Sequence, residues 1–530
     1  HVGTAKHLLK KGEVGAKDET SKKPSYLTGQ ERRDSDPYTD FEDSSLDSVV
    51  SSLDSVDSHL DSEDERPSLQ VQSCNKFGRN VSSSSTKKEH YLESGYSHKK
   101  HKRQTMREMN SAAARGDLDA IKRLVEQDIS MDPWCGETAL RMAASAGHVH
   151  IVKYLVENGA EVNAVNECGE AALRMAASAG YVDIVKYLVE KGAEVNAVTV
   201  LGETALGMAA SAGHLHIVKY LVENGAEVNA VNDLGETALG MAASAGHVHI
   251  VKYLVKNGPE VNAVNECGET ALRMAAKAGY VDIVKYFVEK GAEVNAVTVL
   301  GETALCMAAK AGYVDIVKYL VENGAEVNAV DKLGETALSM AAKAGYVDIV
   351  KYLVEKGAEV NAVTGWGETA LRMAAKAGYV DIVKYFVEKG AEVNAVTVLG
   401  ETALCMAAKA GYVDIVKYLV ENGAEVNAVD KWGETALLMA ASAGHVDTVK
   451  YLVENGAEVN AVDKWGQTAL RMAASAGHVD IVKYLVENDA EVNAVDKWGQ
   501  TALCMAASAG YVDIVKYLVE NGAEVNAVDK

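Results

Sequence analysis

The chain has 530 residues, with 75 acidic against 53 basic side chains and a formal net charge of -22. That excess argues against non-specific binding to nucleic acid or to an anionic membrane. No apolar run approaches the roughly 20 residues that cross a bilayer, and the opening HVGTAKHLLKKG lacks the long apolar stretch of a signal peptide. Cys74, Cys135, Cys168, Cys267, Cys306, Cys405 and Cys504 form no CxxC pair and read as free thiols in a reducing compartment, so a cytoplasmic location is expected.

Residues 1–18, HVGTAKHLLKKGEVGAKD, align with HVHIVKYLVENGAEVNAV further on, placing His1 on His148, Lys6 on Lys153, Leu8 on Leu155 and Gly12 on Gly159. They read as the C-terminal half of a repeat, which would make the chain a cut from a longer protein. Residues 19–102 are rich in Ser, Asp, Lys and Glu, poor in large apolar residues and without periodicity, a composition expected to stay disordered. Within them Ser44, Ser51 and Ser58 each stand three residues before an aspartate, and Leu46, Val49, Leu53, Val56 and Leu60 would share one helical face. An acidic docking helix, a phosphorylation cluster and plain disorder all fit. The basic run Lys99-Lys100-His101-Lys102-Arg103 fits a nuclear-import segment, and equally a solvated charge run.

Residues 103–135 predict a helix, a break at Gly116 and a second helix with the apolar stripe Leu118, Ile121, Leu124 and Val125. Arg115, Asp117, Asp119 and Arg123 add charge, as suits the polar end of a stack. From Gly136 to the end, residues 136–530, glycine recurs every 33 residues without insertion, giving twelve copies of one unit. In the first, Thr138 predicts the N-cap of a helix lined with Ala139, Leu140, Ala143 and Ala144 and ended by Gly147. A second helix begins near His148, with Ile151, Val152, Leu155 and Val156 as its stripe and Gly159 as its stop. AEVNAVNEC then reads as an extended segment with a turn at its tip. One such unit has too little core to stand alone, so the units must stack.

The unit resembles the ankyrin repeat: Gly136, Thr138, Leu140, Ala143, Ala144, Gly147, His148, Ile151, Val152, Leu155, Gly159, Ala160, Val162, Asn163 and Ala164 match that family's pattern. The resemblance implies an all-α solenoid of stacked helix-turn-helix pairs with projecting β-hairpin fingers and a concave surface that binds proteins. Two departures stand out. The family's Thr-Pro-Leu-His is here Thr138-Ala139-Leu140-Arg141, and the position of Arg141 becomes Gly207, Cys306, Ser339 or Leu438, so the usual histidine network between repeats is not expected. Ala171, Pro259 and Asp489 also break the pattern locally, and soft spots are expected there. The resemblance further implies asparaginyl hydroxylation, with Asn163, Asn196 and Asn229 as candidates.

Variation between copies concentrates at the finger tips and on the free face of the first helix. Lys277, Lys310, Lys343, Lys376 and Lys409 replace the serine of Ser145 in five consecutive repeats, with Arg273 and Arg372 one turn earlier. Such a ladder suits an acidic or phosphorylated partner. Neutralisation by Asp282, Asp315, Asp348, Asp381 and Asp414, or simple copying, is the competing explanation, since residues 268–332 recur unchanged as 367–431. Trp366, Trp432, Trp465 and Trp498 share one position near the tips, suited either to packing between hairpins or to anchoring a partner. His148-Val149-His150 and its copies at 214–216 and 247–249 converge poorly for a metal, and a structural role is expected. No phosphate loop or nucleophile constellation stands apart from the repeat, so neither catalysis nor a cofactor nor a metal is expected. The expectation is a monomeric, non-catalytic scaffold for protein partners; the alternative is the regulatory arm of a larger enzyme or channel.

Overall fold

The computed structural model describes residues 104–126 and 133–525. The readings of residues 1–18 and 19–102, of the serine cluster and of the basic run at 99–103 lie outside the described residues.

Each repeat contributes two antiparallel helices. The second is nine residues long in every copy, from Val149–Glu157 to Val512–Glu520. The first spans seven or eight residues in all but the opening copy, as in Ala205–Ser211 and Ala271–Ala278. Its start is set by threonine: Thr204 Oγ1 accepts from the Gly207 amide at 3.0 Å, and the other caps repeat the bond. At Thr336 the cap is reciprocal, because Ser339 Oγ accepts from the Thr336 amide at 2.9 Å. Ala171 provides no side-chain cap, as its sequence implied.

The first full repeat departs from its expected boundary. Its first helix runs from Pro133 to Ala146, so Thr138, the expected cap, lies inside it. Proline is preorganised for the first helical position, and Pro133 takes that place here.

The alanines determine how the stack closes. Ala143, Ala144 and their copies are buried, and the first helices pack closely on one another while the second helices touch their neighbours sparsely. Small side chains permit that approach, and leucine and isoleucine fill the space between the two layers. Ile184, Val185 and Leu188 are completely covered. On the outer side of the second helices, lysine lies over the tyrosine of the next repeat, with Lys153 Nζ 5.4 Å from the Tyr187 ring.

The fingers are shorter than the expected β-hairpins. Among the described residues they form isolated antiparallel bridges such as Val165↔Ala171 and Val198↔Thr204, and no regular strand. Turns consume the segment: Asn166 Oδ1 accepts from the amides of Cys168 and Glu170, folding the tip on itself. Consecutive tips are joined by a backbone bond, as from the Val200 amide to the Cys168 carbonyl at 2.9 Å. Asp489 has φ 62 and is the one non-glycine residue with positive φ among the described residues.

Candidate partner-binding surface

The lysine ladder sits at the C-terminal ends of five consecutive first helices. Lys277, Lys310, Lys343, Lys376 and Lys409 are all exposed, each in the last turn of its helix, where the helix dipole favours a cation. The aspartates expected to neutralise them do not do so. Among the described residues only Lys343 of the ladder has a carboxylate within ion-pair distance, Glu335 at 3.5 Å. Asp282 and its copies instead occupy the first turn of the second helix, where the dipole favours an anion.

Arg273 and Arg372, grouped with the ladder on sequence, face elsewhere. They are buried, and each guanidinium holds two glutamates, one on its own repeat and one on the next: Glu269 and Glu302 for Arg273, Glu368 and Glu401 for Arg372. Arg174 does the same with Glu170 and Glu203, and Arg471 reaches Asp496 Oδ2 at 2.6 Å. The family's missing histidine network is thus replaced every third repeat by an arginine bridge. The arginine sits four residues after one glutamate, but its second partner lies 29 residues on, at a distance in sequence that helical spacing does not flag.

The finger tips form the apolar side of the surface. One valine per finger, from Val165 to Val495, is about half exposed, and Leu201, Leu234, Leu300 and Leu333 stand beside them. Trp366 and Trp498 are 56% and 52% exposed, Trp432 and Trp465 38% and 37%, so each leaves part of its indole open to solvent. An exposed glutamate accompanies each finger, Glu359, Glu392 and Glu425 among them. The valines escape a reading of the sequence because alternation with polar neighbours suggests one buried face, whereas here it marks a turn.

The candidate asparagines are exposed yet engaged. Asn163 Nδ2 donates to the Gly192 carbonyl at 3.0 Å while its Oδ1 accepts from the Glu194 amide at 2.8 Å, and Asn196 repeats the pattern on Gly225 and Glu227. Asn229 accepts from the Glu260 amide at 3.3 Å. Each therefore ties its repeat to the next. His148 Nε2 lies 3.0 Å from the Ala114 carbonyl, and His214 and His247 make the matching contact with Ser178 and Ser211. These rings close off the end of the preceding first helix. No cluster of three His, Cys, Asp or Glu positioned for a metal occurs among the described residues. Cys306 and Cys405 are buried, and burial pushes both thiols above their ordinary range, while Cys168 and Cys267 are exposed at the tips.

The stacked helix pairs, capped by threonine and joined tip to tip, define a helical repeat solenoid. A family model of ankyrin repeats matches residues 109–199, 194–265, 257–331, 323–397, 393–463 and 455–529, and the chain belongs to the ankyrin-repeat family. No curated protein matches it. Ankyrin repeats are generally protein–protein interaction modules and their arrays are typically non-catalytic. No described helix is long and apolar enough to cross a membrane.

Proposed function

We propose that this array is a non-catalytic scaffold whose lysine ladder receives an acidic or phosphorylated segment of a partner protein. The carrying observation is that five lysines in consecutive repeats are exposed on one edge, with a carboxylate in ion-pair distance of Lys343 alone among the described residues. Stacked helices lie roughly 8–10 Å apart, so the ladder is about 40 Å long, enough to engage an extended peptide at several points. Arg273 and Arg372 take no part in this contact, since their guanidinia are occupied by glutamates. The test is binding of a fluorescent peptide of alternating phosphoserine and glycine to the chain and to a Lys310→Glu, Lys343→Glu, Lys376→Glu variant. Binding that weakens at least about tenfold, and weakens further with salt, is expected. Equal binding by both proteins overturns the assignment.

The ankyrin pattern around Asn163, Asn196 and Asn229 supports asparaginyl hydroxylation as a second property of the array. Peptide mass spectrometry of the cellular protein is expected to show the added mass of one oxygen atom, about 16 daltons, at one or more of these residues; unmodified asparagine at all three removes the idea.

A further inference from the structure

A pocket of about 130 Å³ opens between two adjacent finger tips, with Trp366 on one side and Val398 and Leu399 on the other. Its floor is Arg372, only 4% exposed, held by Glu368 and Glu401. The walls are fixed to each other, because the Val398 amide donates to the Trp366 carbonyl at 2.9 Å. The site is therefore preorganised.

The duplication supplies an internal comparison. Residues 268–332 and 367–431 are identical, so Glu269, Arg273, Thr298, Val299, Leu300 and Glu302 repeat every lining group but Trp366. The difference lies just before the duplicated stretch: Cys267 stands where the pocket has Trp366, and Cys168 stands there in the related interface three repeats earlier still. Of the two identical stretches only the second is thus preceded by an indole wall, Trp366, 56% exposed; Trp465 stands likewise before Arg471, but there Gln467, Asp496, Lys497, Trp498 and Gln500 replace Glu368, Thr397, Val398, Leu399 and Glu401.

We infer that this pocket anchors a partner protein through one aliphatic side chain, Leu, Ile or Val, carried in a segment rich in lysine or arginine. The volume suits one such side chain set against the indole, and aromatic residues are frequent anchors at protein interfaces. Two glutamates flank the single guanidinium, so a carboxylate or phosphate is repelled at the floor and a cationic segment is favoured. The carboxylates that line the pocket are Glu368 and Glu401, and the whole chain is acidic at -22, which selects a cationic segment. This site is separate from the lysine ladder, at the other end of the first helix about 12 Å away along its axis. The inference rests on the reading that the array binds protein partners.

The experiment selects a phage-displayed random peptide library on the full chain, then measures the enriched peptides by fluorescence anisotropy against Trp366→Cys and Cys267→Trp. The first variant installs the residue its own duplicate carries at that place, and thermal melts matching the unaltered chain verify that both variants fold. The expected consensus is one aliphatic residue flanked by lysine or arginine. Its affinity should fall at least about tenfold in Trp366→Cys, and Cys267→Trp should raise the stoichiometry from one peptide to two. Enriched peptides that bind Trp366→Cys as well as the unaltered chain overturn the pocket while leaving partner binding standing. Failure to enrich any sequence overturns both.

Discussion

Replacing Thr448 by isoleucine tests how the core of this stack is held. Thr448 lies in the second helix Val446–Glu454, is 0% exposed, and its hydroxyl has no hydrogen-bond partner. The other eleven full repeats carry isoleucine at that position, and Ile415 and Ile481 in the adjacent copies are fully buried without disturbing the helix. An unsatisfied buried hydroxyl costs about 1–3 kcal/mol. Isoleucine puts a carbon in place of that oxygen and adds one further carbon, whose burial contributes about 0.8 kcal/mol. Thr448→Ile is therefore expected to stabilise this repeat by about 2 kcal/mol. Because a repeat array can open locally, the assay is amide hydrogen exchange of residues 446–454, which should slow about 30-fold. The reverse change, Ile415→Thr, should speed exchange of the preceding second helix by a comparable factor. Exchange that is unchanged or faster in Thr448→Ile would refute the claim that the hydroxyl is a net cost.

Asp489→Gly should stabilise the array by about 1 kcal/mol, since φ 62 is strained for an aspartate and free for glycine, and the Asn460 bond to the residue 489 carbonyl at 3.0 Å is to backbone; a lower midpoint in denaturant melts would contradict this. Ala171→Thr should restore the missing cap and protect the amides at the start of Ala172–Ala179 by about 1 kcal/mol, read by hydrogen exchange. Burial, then the neighbouring Asp430, raises the pKa of Glu434 against the opposing pull of Lys409. A raised folded-state value favours folding below the unfolded glutamate pKa of about 4.3 and loses that contribution as pH rises through the folded value. Glu434→Gln, which places at this position the residue found as Gln467 and Gln500, should therefore raise the melting temperature at pH 7 and lose that advantage near pH 4. An equal shift at both pH values would show that charge is not the cause.

The helical pairs are legible because their signals are local. Thr204 before a run of small residues, a glycine after it and the Ile-Val-Leu stripe each act within one repeat, and those features lie where spacing places them. What sequence does not separate is Arg273 from Lys277. One helical turn divides them, yet Arg273 is drawn inward by Glu302 of the next repeat while Lys277 remains in water. That difference is made between repeats and depends on a stacking register the single unit does not contain. Finger length is overestimated for a related reason: AEVNAVNEC has the alternation of a strand, but Asn166 commits two hydrogen bonds to its own turn, leaving room for one bridge. The tryptophans show the same limit, since their shared position is plain in the sequence and their exposure is not.

The arginine bridges recur at Arg174, Arg273 and Arg372, three repeats apart, and two of these blocks begin with 65 identical residues, 268–332 and 367–431. Removing residues 268–366 would join Cys267 to Gly367, and the junction so formed would reproduce the existing one between Cys267 and Gly268 side chain for side chain. The array is thus a chain of interchangeable cassettes: it can lengthen or shorten by whole blocks with its internal seams unaltered, and the number of indole-walled pockets it displays changes with its length.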